Sequence, residues 1–130
     1  MQRRKLLGTI LTAGSAIAPL LAAPAAHPIR LQVDLTVDAA KEKEMLHNFE
    51  TIFRPAAAKQ PGYLDVKLLK LRTTLMGKGP VGVNYRFDLA FQSEELRQKW
   101  VATDVHQQVW PTIENLLAHK NYTVLLFDVI

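Results

Sequence analysis

The chain has no cysteine. That absence removes disulfides, iron–sulfur clusters, thiolate zinc sites and cysteine nucleophiles from the chemistry open to it, so its stability must come from packing. Its four histidines, His27, His47, His106 and His119, do not fall at metal-ligand spacing, so no metal and no bound cofactor is expected. There is no basic patch interleaved with aromatics, and beyond the first residues Lys and Arg are scattered among Asp and Glu, which excludes nucleic acid as a partner. The glycines at 77, 79 and 82 have no Lys-Ser/Thr pair or following helix to complete a phosphate cradle, so they read as an ordinary connection.

Charge is also missing between the first basic cluster and Arg30, apart from any proton on His27. Residues 1–26 run from Met-Gln-Arg-Arg-Lys through an apolar, small-residue stretch to Ala-Pro-Ala-Ala, the order of an export signal cleaved between about Ala22 and Ala26. Arg3-Arg4 followed by Lys5-Leu6-Leu7 resembles the twin-arginine pattern, so a periplasmic or secreted address by that route is expected. The rival is an uncleaved amino-terminal anchor; Gly8, Gly14, Pro19 and the alanine-rich end favour cleavage, after which no membrane contact is expected. Loss of Arg3, Arg4 and Lys5 lowers the formal charge from +4 to +1, so the basic character of the whole chain says little about partners.

What remains, residues 27–130, is long enough for one domain with one core. Residues 29–37 alternate strictly, with Ile29, Leu31, Val33, Leu35 and Val37 on one side and Arg30, Gln32, Asp34 and Thr36 on the other, a half-buried strand. Asp38 offers an N-cap to a helix carrying Met45, Leu46, Phe49, Ile52, Phe53 and Ala56 at helical spacing, which must kink or restart at Pro55 and ends at Gln60-Pro61-Gly62. A second strand over residues 63–73 slips its alternation at Leu68-Leu69, which marks either a bulge or a strand covered on both faces. The cleanest strand is residues 83–91, with Val83, Tyr85, Phe87, Leu89 and Phe91 on one face. Ser93-Glu94-Glu95 starts a second helical span that Thr103-Asp104 breaks and recaps and that Pro111 interrupts, and residues 122–130 supply the fourth strand.

The order β-α-β-β-α-β predicts an α+β, ferredoxin-like domain, an antiparallel sheet with both helices on one face. Gln60-Pro61-Gly62-Tyr63, Phe91-Gln92-Ser93-Glu94-Glu95-Leu96 and Trp100-Val-Ala-Thr-Asp-Val-His106 make residues 29–130 resemble the antibiotic biosynthesis monooxygenase-like family. The resemblance implies a dimeric α+β barrel in which two protomers pack their open sheet faces, with a small apolar pocket in each. It further implies cofactor-independent oxygenation of quinol-like or polyphenolic molecules in some members and haem degradation in others. Haem-degrading members use an asparagine on strand one, a tryptophan in helix two and a histidine about three turns later; Trp100 matches the tryptophan, but Trp110 stands where the histidine would be and strand one has Asp34 and no asparagine.

His106 is the expected acid/base group, because an ordinary imidazole titrates near neutrality and oxygenation of a phenol needs a base to make the electron-rich anion. Asp104 and Asp34 are its expected carboxylate partners; the plainer reading of His106 is a capping or surface histidine. Trp100 and Trp110 are expected to wall an aromatic pocket, or else to be plain core. Asn84 and Arg86, with Asp88, are expected either to bind a polar group of the substrate or to form an interface network, the latter favoured for Arg86. The expectation is thus an exported homodimer acting as a monooxygenase on a small aromatic molecule, with a non-catalytic periplasmic module binding a small molecule or haem as the rival. Asp34 beside His106 would favour the enzyme, and a purely apolar pocket the binder.

Overall fold

In a computed structural model, residues 27–130 are described; the expected export signal, residues 1–26, lies outside the described residues. Four strands, β1 (Ile29–Leu35), β2 (Tyr63–Lys70), β3 (Tyr85–Phe91) and β4 (Thr123–Asp128), form one sheet in the order β2-β3-β1-β4. Every neighbouring pair is antiparallel. Between β1 and β2 lie α1 (Glu42–Asn48) and α2 (Arg54–Ala58), and between β3 and β4 lie α3 (Glu94–Val101), α4 (Asp104–Val109) and α5 (Pro111–Glu114). This is the ferredoxin-like α+β arrangement, with each expected helix realised as a chain of short pieces.

The alternation of β1 and β3 sets which side is core. Val33 lies opposite Phe87 on one side and Val124 on the other, and Ile29, Leu35 and Phe91 are fully enclosed. The first helical span adds Met45, Phe49, Phe53 and Ala57 to that core, a stripe at four-residue spacing that leaves Leu46 and Ile52 on the exposed side. An unbroken α-helix at about 3.6 residues per turn would carry such a stripe round its axis. Here residues Phe49–Phe53 form a π-turn, in which the Arg54 N–H bonds to the Phe49 carbonyl five residues back. The turn sits immediately before Pro55, which has no N–H to offer and whose ring crowds the preceding turn, so the wider turn takes up both the missing bond and the drift of the stripe.

The second strand decides between the two readings of its leucine pair. Its register shifts between Tyr63 and Asp65, so the bulge is at Leu64 and not at Leu68-Leu69. Leu68 lies opposite Phe87 on the core side and Leu69 opposite Arg86 on the open side, so the leucine pair continues the alternation with an apolar residue on each face. Gly62, just before the bulge, has φ +87, and a Cβ there would lie 2.6 Å from the Leu96 side chain, so the turn brings backbone against α3 where only glycine fits.

The face without helices carries a charged lattice. Arg86 donates from Nε and Nη2 to the Asp34 carboxylate at 2.7 and 3.1 Å, while Asp88 accepts from Arg30 Nε at 3.0 Å and Gln32 Nε2 at 3.2 Å. Asp88 is only 5% exposed although it faces outward, because these side chains lie over it. Asn84 belongs to the backbone: its Oδ1 accepts from Val37 N–H and its Nδ2 donates to Val37 C=O, both at 2.8 Å, closing the chain after β1 against the start of β3.

Candidate functional site

The site depends on a helix break. Ser93 caps α3 by accepting from Leu96 N–H at 3.2 Å, and α3 drives Trp100 into the core, where it is 2% exposed. On a continuous helix, residues six apart point about 120° away from each other, so Trp100 and His106 would not meet. The chain instead stops at Ala102, and Thr103 restarts it: its hydroxyl donates to the Trp100 carbonyl at 2.7 Å and accepts from His106 N–H at 3.2 Å. The His106 ring then stands edge-on to Trp100, centroids 5.0 Å apart at 87°.

Between these rings and the sheet is a cavity of about 160 Å³. Leu31 and Val33 from β1, Phe87 and Leu89 from β3, and Phe53 from the π-turn make its apolar wall, and Arg97, Trp100, His106, Trp110 and Tyr122 bring the polar atoms. Trp110 and Tyr122 are satisfied within the protein, since Trp110 Nε1 donates to the Tyr122 hydroxyl at 3.3 Å and that hydroxyl donates to Glu114. Trp100 Nε1 and His106 Nδ1 are not: both are buried and neither has a hydrogen-bond partner. Buried polar atoms normally find partners, and leaving one unpaired costs about 1–3 kcal/mol. Both residues line this cavity, so a ligand whose polar group reached either atom would relieve that cost.

Burial, and secondarily the positive charge of Arg97, hold the His106 pKa below its ordinary 6.5, so the imidazole is neutral at neutral pH and able to take a proton. Burial, and then the bond to Glu114, push the Tyr122 hydroxyl above its ordinary 10.0, so it stays a phenol. Arg97 itself is clamped by Glu94, with Nε–Oε1 2.6 Å and Nη2–Oε2 2.7 Å.

Of the residues expected to form a site, the structure brings together His106, Trp100 and Trp110. It does not bring Asp104 or Asp34 to His106. Asp104 is exposed in the first turn of α4 and does not line the cavity, and Asp34 is on the open sheet face, spent on Arg86. Arg86 and Asp34 line a separate cleft of about 450 Å³ beneath the loop of residues 71–84. That cleft is the larger, but its lining offers no buried atom in want of a partner, so the chemistry points to the smaller cavity. Asn84 is consumed by Val37. Sequence reasoning missed Arg97 and Tyr122. Arg97 was within reach of it, because residues 97 and 100 share a helix face; Tyr122 at the mouth of β4 carries no such signal.

No protein-family model matches the chain, and no curated protein matches it in sequence. Solved structures do match in fold. A candidate antibiotic biosynthesis monooxygenase from Caulobacter crescentus superposes with a TM-score of 0.65 at 18% identity, covering 81% of this chain and 92% of that one. SnoaB, a cofactor-independent oxygenase from Streptomyces nogalater, gives 0.63 at 17% identity over 81% and 95%. A haem-degrading protein from Mycobacterium tuberculosis gives 0.56 at 22% identity over 81% and 93%. The chain therefore has the fold of the antibiotic biosynthesis monooxygenases, a fold shared by proteins of differing activity.

The half-buried imidazole has a thermodynamic signature. Its folded pKa lies below the unfolded value of 6.5, so as pH falls the unfolded chain takes up the proton first and stability drops, from about 6.5 down to the folded pKa, where the loss is complete. Glu42 and Glu94, also held below their ordinary 4.5, lose their contributions only at more acid pH. Urea midpoints of the protein should fall across the His106 window, and those of His106→Gln should stay nearly flat there; equal slopes would contradict a half-buried neutral His106.

Proposed function

We propose that this protein is an exported, homodimeric, cofactor-independent monooxygenase of the antibiotic biosynthesis type, acting on a small phenol or quinol. The observation that carries this reading is the unpartnered Nδ1 of His106, buried beside Trp100 in a cavity walled by aromatic rings. A cavity of about 150 Å³ lined by apolar side chains holds one benzene ring, so about 160 Å³ suits a single-ring substrate. Haem does not fit this volume, and Trp110, at the position of the expected haem-ligating histidine, is bonded to Tyr122.

The chemistry is balanced without a cofactor. Neutral His106 accepts the phenolic proton, and the resulting phenolate is electron-rich enough to react with oxygen. A phenol with an unsubstituted para carbon, taking up one O2, ends as the para-quinone with release of one water; one oxygen atom enters the ring, and the electrons that reduce both come from the substrate. Trp100 Nε1–H is free to donate to an oxygen of the substrate or of the intermediate. The binding-module reading draws on a specific observation too: no carboxylate stands behind His106 to steady an imidazolium, since Asp104 and Asp34 are elsewhere.

Assembly is the second part of the proposal. The open face alternates ion pairs with apolar flanks, Leu69 on β2 and Leu125, Phe127 and Val129 towards the β4 edge, and these leucines, phenylalanine and valine are exposed. A sheet face of that size in a small disulfide-free domain is more stable covered, and a second copy supplies matching charges and apolar edges. The export part rests on residues 1–26, and amino-terminal sequencing of protein from the source cell tests it: an intact Met1 on soluble cytoplasmic protein would refute it.

Oxygen uptake measured against a panel of single-ring phenols and quinols should reveal a substrate, and His106→Gln should lower turnover by roughly a hundredfold while the circular dichroism stays native. Binding of these compounds with no oxygen uptake would leave the binding module as the function. Sedimentation of residues 27–130 at micromolar concentration should give twice the chain mass, with Arg86→Ala weakening the association; a monomer at every concentration would refute the dimer.

A further inference from the structure

Among the described residues lining the cavity, Arg97 is the only one formally charged at neutral pH. Glu94, which clamps it, does not line the cavity, and the same carboxylate also accepts from Gln98 Nε2 at 2.9 Å. Of the pair, Arg97 is the member that reaches the cavity lining, and Glu94 fixes its guanidinium from beside it. Nε and Nη2 are taken up by Glu94, whereas Nη1 has no hydrogen-bond partner among the described residues. With its side chain 17% exposed, Arg97 is screened far less than a surface cation.

A fixed cation beside an apolar wall favours the anionic form of whatever binds there, because a ligand that fills the cavity displaces much of the water that would otherwise screen the charge. The other titratable groups facing the same space do not oppose it. His106 is neutral, and Tyr122 keeps its proton, donating it in a hydrogen bond to Glu114. The arrangement also bears on the proton balance: an imidazolium at His106 lies close enough to feel Arg97, and an oxyanion between them offsets both charges.

We propose that Arg97 is the oxyanion-stabilising residue of this cavity, so that the pocket selects single-ring phenols as their phenolates rather than neutral aromatics of the same shape. This rests on the reading of the cavity as a phenol site given above. It assigns discrimination to a residue on α3, one turn before Trp100, and makes Glu94 a positioning residue that fixes the guanidinium.

The probe is 4-nitrophenol, whose anion is coloured and whose neutral form is not, with 4-nitroanisole as the equivalent ring that cannot ionise. At a pH somewhat below the probe's own pKa, adding excess wild-type protein should raise the phenolate absorbance, and 4-nitroanisole should bind at least about tenfold more weakly. Arg97→Met should abolish the rise and weaken 4-nitrophenol binding by roughly tenfold to a hundredfold, the range for a lost hydrogen bond to a charged group. Arg97→Lys should restore the direction of the change. A fall in absorbance on binding to the wild type, or an Arg97→Met protein that ionises the probe as the wild type does, would overturn the role of Arg97 while leaving the cavity a phenol site. Failure of both probes to bind the wild type would overturn the cavity reading and this inference with it. The sign of the wild-type change decides the matter even if Arg97→Met does not fold.

Discussion

The Thr103 hydroxyl holds the two helices of the site in their relation to one another. By donating to the last carbonyl of one turn and accepting from an N–H of the next, it ends α3 and begins α4 within a single residue. Threonine and serine favour such positions because a short side-chain oxygen satisfies the backbone groups that a helix end leaves unpaired. The meeting of Trp100, His106 and Trp110 at the cavity follows from the change of direction. Trp100 is delivered by α3, His106 by the first turn of α4, and Trp110 by the end of α4, where Pro111 lets α5 depart without a lost bond. A continuous helix would have buried Trp100 and left His106 in solvent, a capping histidine with nothing to do.

The sheet plays a different part on each face. Towards the helices it is a wall of Val33, Phe87 and Leu89 against which Phe53 and the two tryptophans pack edge to face, with Phe53 contacting Phe87, Trp100 and Trp110 at centroid distances of 5.1, 6.1 and 6.0 Å. Such edge-to-face contacts fix ring orientation as well as burying area, so the cavity is a gap in a rigid aromatic cluster and not a loose region of core. On the other face the Arg86–Asp34 and Arg30–Asp88 pairs are tied across strands β1 and β3. In both pairs the carboxylate is largely buried while the arginine still reaches solvent, so each contributes modestly on its own; together they order the face that carries no helices.

Much of the architecture was legible from periodicity. The alternation of residues 29–35 and 85–91 places each side chain on the face it occupies, and the break at Thr103-Asp104 follows from a capping pair inside an apolar helix. Proline at 55 announced a disturbance, but the form it takes, a π-turn that keeps Met45, Phe49, Phe53 and Ala57 in line, depends on the core they meet. Two adjacent leucines read equally as a slipped register or as a strand apolar on both faces; the strand pairing rules out a bulge there and leaves an apolar residue on each face. The candidate site was half legible. Composition located His106 and its tryptophans, whereas alternation tells which face Asp34 and Asn84 occupy but not that Arg86 and Val37 already claim them. Arg97 and Tyr122 come to the cavity by tertiary packing, from opposite ends of the helical span.

The proposed chemistry depends on His106 being a half-buried, neutral imidazole whose buried Nδ1 is free to bond a ligand. Nitrogen-15 NMR of the imidazole reads this directly. In the free protein at neutral pH, His106 should show a neutral ring, and saturation with a single-ring phenol should shift its Nδ1 resonance towards that of a hydrogen-bonded or protonated nitrogen, with His47 and His119 unmoved. A His106 ring already protonated in the free protein, or one whose resonances do not move as the phenol saturates, would contradict it.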